Sequence, residues 1–252
     1  MKSLKPTFDK VLFTAFLVLV IWVIYGSVAD NDLISKSVYP LFIPVFLIFF
    51  FLNNKNLNIG FVIFLIFCFL SDISSIFFQD DWYVKISSSL TVLGFTCLFL
   101  MMLPKLQFGK LGRLIRGYLV MVFCISLYFL YTVGYELNLI ISDTNEMVLF
   151  SLKNLTLIVF AFVAFANYLS KENTISVLVL IGAILINLSS ILGYVNLYYV
   201  YHWSFEMIDK LLYVTCLYFL FRSFAFEKRY QNLEKDSFSV DKRFTSKEKM
   251  LA

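Results

Sequence analysis

The sequence predicts an all-α, polytopic integral membrane protein built as a bundle of eight transmembrane helices. Three observations predict it. Of 252 residues, 60% are hydrophobic and only 15% charged, where soluble domains average about 45–50% and roughly 25%. The excess is carried by 30 Phe and 15 Tyr together with long Leu/Ile/Val runs, against 9 Gly and 4 Pro. The apolar runs also lack a strict period of two, which disfavours a barrel. Backbone inside hydrocarbon must satisfy its own hydrogen bonds, so such runs are helices. A soluble single-core enzyme, a disordered chain, a collagen and a disulfide scaffold are all excluded.

A bilayer core of about 30 Å takes roughly 20 apolar residues per helix. The first run, Val11–Val28, follows Lys2, Lys5 and Lys10. Residues 1–29 also imitate a signal peptide, with Ser27-Val28-Ala29 as its small-residue end, but so many helices follow that the run reads as a first span. Val38–Leu52 is the second and closes on an Asn/Lys turn, Asn53–Asn58. Ile59–Phe78 is the third, and Gln79-Asp80-Asp81-Trp82 reads as a polar turn after it. Ile86–Leu103 is the fourth. Its successor, Gly109-Lys110-Leu111-Gly112-Arg113, is a basic connector and lacks the pattern of a phosphate loop. Leu114–Val133, Met147–Tyr168 and Ile175–Leu197 follow. Tyr198, Tyr199, Tyr201 and Trp203 then form an aromatic belt of the kind that sits at a membrane interface, with His202 among them. The eighth span is Met207–Phe226. Residues 1–226 therefore form the membrane domain. Residues 227–252, with five acids and seven bases, read as a charged cytoplasmic tail, solvated or drawn to anionic headgroups.

Charge orients the bundle. With eight spans, 17 of the 21 cations fall on the side of the N-terminus, three fall opposite (Lys36, Lys85 and Lys210), and Lys153 lies within a span. Cations favour the cytoplasmic side. Both termini are therefore expected in the cytoplasm, in a multi-pass protein of the bacterial inner membrane.

Most familiar site signals are missing. Cys68, Cys97, Cys124 and Cys216 all lie in apolar runs without a C-x-x-C pair, and read as packing residues. A single histidine builds neither a zinc nor a haem site. No metal, no cofactor and no nucleic-acid partner is expected. The informative residues are polar groups inside spans, because an ionisable side chain in hydrocarbon costs a few kcal/mol. Asp72 and Lys153 each lie six residues, about 9 Å of helix rise, from the outer end of their spans. Asp72 has Ser71, Ser74 and Ser75 beside it, and Lys153 has the option of snorkelling outward. Asn187, Ser189, Ser190 and Asn196 fall in the outer half of span seven.

Leu70-Ser71-Asp72-Ile73 and Leu188-Ser189-Ser190-Ile191 lie four spans apart, on helices running the same way. That spacing points to a 4+4 parallel pseudo-repeat with a shared polar site between helices three and seven.

The same segments resemble the YhhN-like lysoplasmalogenase family of eight-span membrane proteins. Gly182-Ala183-Ile184-Leu185-Ile186-Asn187-Leu188-Ser189-Ser190-Ile191-Leu192 is similar to the family's "GA-x-L-F-x-x-S-D-x-x-L" segment on the seventh span. Ile208 to Tyr213 and Leu217 to Leu220 resemble its final span, which carries a Tyr. Leu70-Ser71-Asp72 resembles its "S-x-x-G-D" segment without the Gly. The resemblance implies hydrolysis of the vinyl-ether bond of lysoplasmalogen to an aldehyde and a glycerophospho-base, with paired aspartates as acid and base. Asp72 takes the acid's place and is the candidate catalytic residue. Ser71, Lys153, Asn187, Ser189, Ser190 and Tyr213 are the candidate substrate-lining residues. The chain departs from the family in three places. Ser190 stands at the second aspartate, Tyr39-Pro40 replaces Lys-Pro with Lys36 displaced, and Leu98 to Met102 lacks the family's His. A serine is no general base near neutral pH, and losing one costs about 10²–10⁴-fold.

Three functions are therefore weighed. A lysoplasmalogenase-like hydrolase requires a cavity lined by Asp72 with a second acid or a water-positioning group in reach. A non-catalytic relative that binds a lipid or amphiphile requires the cavity with Asp72 and no base. A small membrane transporter or assembly subunit, using Asp72 and Lys153 as a charge pair, requires a through-path or broken helices. Glu136 and Glu206, acids at outer loop edges, are the candidates for the missing second acid.

Overall fold

The computed structural model describes residues 5–28, 32–53, 59–78, 80–106, 111–141, 143–171 and 173–224. These form eight α-helices and, among the described residues, no strand. They are α1 (Lys5–Val28), α2 (Asp32–Asn53), α3 (Ile59–Phe77), α4 (Asp80–Met102), α5 (Arg113–Leu137), α6 (Thr144–Lys171) and α7 (Thr174–Tyr198), with α8 over 203–224. A single 3₁₀ turn, Leu103–Lys105, closes α4. The tail at 227–252, Ala29 at the end of the signal-like segment, residues 54–58 of the Asn/Lys turn and residues 109–110 of the basic connector lie outside the described residues.

Four helices are long and apolar enough to cross a bilayer: Trp82–Lys105, Arg113–Leu137, Thr144–Lys171 and Thr174–Tyr198. Shorter apolar stretches run through α1, α2 and α3. This is a helical membrane protein. Helices α2, α5, α6 and α7 overrun their apolar runs at both ends, and α1 and α4 at the start, since a helix satisfies its own backbone whether or not lipid surrounds it. The expected turn at Gln79–Trp82 is accordingly shorter. Residues 80–82 form the first turn of α4.

Local chemistry sets several other ends. Asn173 caps α7, its side chain accepting the Ser176 N–H at 2.8 Å. Asp143 does the same before α6, accepting the Asn145 N–H at 2.8 Å, and it also pairs with Lys85 of α4.

In the bundle each of α1 to α3 packs on the next helix, α4 packs on α3 and α6, and α6 on α7; α5 rests on α6 and is otherwise largely exposed. Helix α8 runs through the middle. Tyr218 stacks on Phe16 of α1 at 4.6 Å, Phe221 on Phe46 of α2 at 5.3 Å, and Phe224 lies 4.6 Å from Phe61 of α3. Its approach to α7 is permitted by Gly182, where a Cβ would meet Leu220 at 3.2 Å.

Phenylalanines fill one half of the bundle. Phe61, Phe64, Phe95 and Phe160 form an unbroken chain of rings across α3, α4 and α6, with centroids 5.9, 5.2 and 5.6 Å apart. All four are essentially inaccessible. Hydrocarbon supplies no hydrophobic drive between helices, so this half is held by close packing itself. Cys68 and Cys216 are small buried residues here, and the four cysteines are free thiols.

Candidate functional site

Above the phenylalanine floor the bundle is hollow. Five helices wall one cavity of about 870 Å³. It reaches from the α3–α4 and α7–α8 connections, marked by Phe78 and Tyr201, down to Tyr213, Leu157 and Ile186. Tyr213 is ten residues into α8, so the cavity is about 15 Å deep along that helix.

Helix α3 contributes Ser71 and Asp72. The Tyr213 hydroxyl of α8 donates to Asp72 Oδ2 at 3.2 Å. Ser71 faces α4, its Oγ 2.9 Å from Ser87 Oγ and 3.2 Å from Thr91 Oγ1. Ser88 and Tyr83 of α4 also line the cavity. This hydroxyl face escaped the sequence reading for a physical reason. Ser and Thr in a membrane helix satisfy themselves on the preceding turn, as Thr91 does on the Ser87 carbonyl at 2.8 Å, and so they are cheap anywhere.

Helix α8 supplies a second carboxylate, Asp209. It sits one turn, about 6 Å of rise, from Tyr213 toward the mouth. Two features of α7 seat it. The Ser189 hydroxyl donates to Asp209 Oδ1 at 2.5 Å. Gly193, one turn on, leaves a notch, since a Cβ there would lie 3.1 Å from Asp209 Oδ2. Asp209 lines the same cavity as Ser190, the position where the resemblance called for an acid. The sequence held a signal for it. Glu206, Asp209, Lys210 and Tyr213 follow the i, i+3, i+4, i+7 spacing of one helix face, and all four line the cavity.

Of the other acids, Glu206 lines the mouth, where it pairs with Lys210 and accepts the Tyr201 hydroxyl at 3.2 Å. Glu136 is exposed near the end of α5 and is not among the lining residues. Lys153 of α6 turns into the cavity, with its ammonium 5.2 Å from the Tyr194 ring centroid and close enough to Asp209 to attract it. Ser190 donates to Asn154 Oδ1 of α6 at 3.3 Å.

Six sequence-selected residues thus share one chamber: Ser71, Asp72, Lys153, Ser189, Ser190 and Tyr213. Asn187 does not join them. Its amide donates to the Ala183 carbonyl at 2.7 Å and the Leu157 carbonyl at 3.3 Å, tying α7 to α6. His202 is exposed among the belt aromatics, stacked on Trp203. Helices three and seven do not pack against each other; the cavity separates them, closed by α4 and α6 on one side and α8 on the other. Among the described residues no cluster of metal-binding side chains occurs. What the arrangement offers chemically is two carboxyl groups on different helices, each held by a hydroxyl donor, over an apolar floor. Comparison with known proteins returned no matching family model, no matching curated protein and no matching solved structure.

Proposed function

We propose that the protein is an intramembrane hydrolase of the lysoplasmalogenase type, cleaving the vinyl ether of a single-chain ether lipid. The observation that carries the reading is the presence of Asp72 and Asp209 on the walls of one cavity. A vinyl ether is cleaved by protonation of its outer alkene carbon, which leaves an oxocarbenium-like cation. Asp72, as the carboxylic acid, supplies that proton. Asp209, as carboxylate, takes a proton from water as the water adds to the carbon bearing oxygen. The resulting hemiacetal collapses to an aldehyde and the glycerophospho alcohol, consuming one water overall. General acid and general base each contribute about 10²–10⁴-fold. Asp209 answers the loss of the family's second aspartate, taking over from the position of Ser190.

The packed phenylalanine half supports a blind chamber, and the two helix-interior prolines, Pro40 and Pro44, belong to α2, which does not line it. Both facts favour a hydrolase over a transporter. An eight-span topology with both termini cytoplasmic places the mouth at the outer leaflet, and the cation asymmetry supports it. Like contacts in the two halves, α1–α2–α3 and α5–α6–α7, support the 4+4 repeat.

The test incubates purified protein with a lysoplasmalogen and measures released aldehyde beside Asp72→Asn and Asp209→Asn. The reading expects aldehyde from the native chain and a loss of about 10²-fold or more in either variant. No aldehyde above the Asp72→Asn background, from protein that melts normally, would leave a lipid-binding relative in its place.

A further inference from the structure

The acid–base chemistry leaves Lys153 unused. This ammonium lies nine residues into α6, about 14 Å from its start, in the wall of the cavity. It carries three N–H donors. Among the described residues it has no hydrogen bond and no ion pair; its surroundings are the Tyr194 ring and the attraction of Asp209. Asp209 is already engaged by Ser189. Lys210, the other cation of the cavity, differs in being bonded to Glu206. A lysine at such depth is costly, and a cation–π contact returns only part of the cost. The donors point to oxygen acceptors that arrive with the cavity's occupant.

We propose that Lys153 binds a phosphate oxygen of the amphiphile that fills the cavity, and so holds its polar end in the same chamber as the two carboxyl groups. The substrate class in this inference rests on the hydrolase reading. A single-chain phospholipid carries tail, ether and phosphate in one line. The chamber offers apolar Leu157 and Ile186 to the tail, and the two acids and Lys153 to the polar end. The lysine acts as a compact charge, offsetting the repulsion that a phosphate would otherwise meet from Asp209.

The experiment uses the full chain in nanodiscs and two saturated probes that cannot undergo vinyl-ether cleavage, a 1-alkyl lysophosphocholine and a 1-alkylglycerol of equal chain length. Native protein is expected to bind the phospholipid about tenfold more tightly, the scale of one hydrogen bond to a charged group. Lys153→Gln is expected to abolish that preference while leaving alkylglycerol binding unchanged, and Lys153→Arg to keep most of it. In turnover of lysoplasmalogen, Lys153→Gln raises KM more than it lowers kcat. Equal affinities in the native chain, or a preference that survives Lys153→Gln, would overturn the inference. Displacement of the alkylglycerol probe by inorganic phosphate alone would overturn the lipid headgroup as its source. A preference with no aldehyde release would sink the hydrolase reading and spare the lysine. Aldehyde release with an unmoved KM in Lys153→Gln would do the reverse.

Discussion

Replacing Gly193 by alanine tests whether the seat of Asp209 matters to chemistry. The added Cβ would lie 3.1 Å from Asp209 Oδ2, where ordinary contact begins near 3.4 Å. The carboxylate must therefore withdraw by about 0.3 Å, a shift that the Ser189 hydrogen bond at 2.5 Å has room to absorb. Stability should hardly change. A helical Gly→Ala exchange gains up to about 1 kcal/mol, and mild overpacking costs about as much. Turnover is less forgiving. A misplacement of about 1 Å costs about 10²-fold, so about 0.3 Å scales to roughly fourfold. The assay is aldehyde release at saturating lysoplasmalogen, with a thermal melt as the stability readout. Gly117→Ala is the control, since nothing lies within 4 Å of a Cβ there. Full activity in a normally melting Gly193→Ala protein would refute the reasoning, because the group nearest the new methyl would then have no part in the reaction.

Other outcomes follow from the same contacts. Gly182→Ala places a Cβ 3.2 Å from both Leu220 Cγ and Cδ2; prying α7 from α8 should cost about 1–3 kcal/mol, seen as a lowered Tm. Tyr213→Phe removes the donor to Asp72. It should cost about 0.5–1.5 kcal/mol of stability by thermal melt, together with a fall in kcat as the carboxyl loses its orientation. The Lys85 ammonium, hydrogen-bonded to Asp143, holds that carboxyl below its ordinary 3.8. The folded value is thus depressed, so the pair's contribution is complete above that ordinary value and disappears as pH falls below it. The Tm difference between native protein and Lys85→Met should therefore shrink on acidification through that range; a difference that widens would contradict the pairing.

The sequence reveals the helical architecture because hydrocarbon forces each span to be long, apolar and helical. It reveals Asp72 and Lys153 because charge inside a span is expensive. The rest of the chamber escapes for equally physical reasons. Asp209 lies two turns into α8 with Lys210 beside it, and in one dimension such a pair looks like an interfacial flank. Ser87, Ser88 and Thr91 give no signal, since hydroxyls in helices satisfy themselves. Asn187 gives a false one, because its amide serves backbone carbonyls instead of the cavity. The outlying place of α5 depends on which helix faces meet, and the sequence of one helix does not encode that.

The central claim, that a carboxylic acid in this chamber protonates an alkene carbon, is tested most directly by running the hydrolysis in D₂O and weighing the aldehyde. Proton delivery from an exchangeable acid predicts a single deuterium on the carbon next to the carbonyl in the product of the native chain, and almost no product from Asp72→Asn. Aldehyde formed without that label, or formed equally fast by Asp72→Asn, would contradict the account.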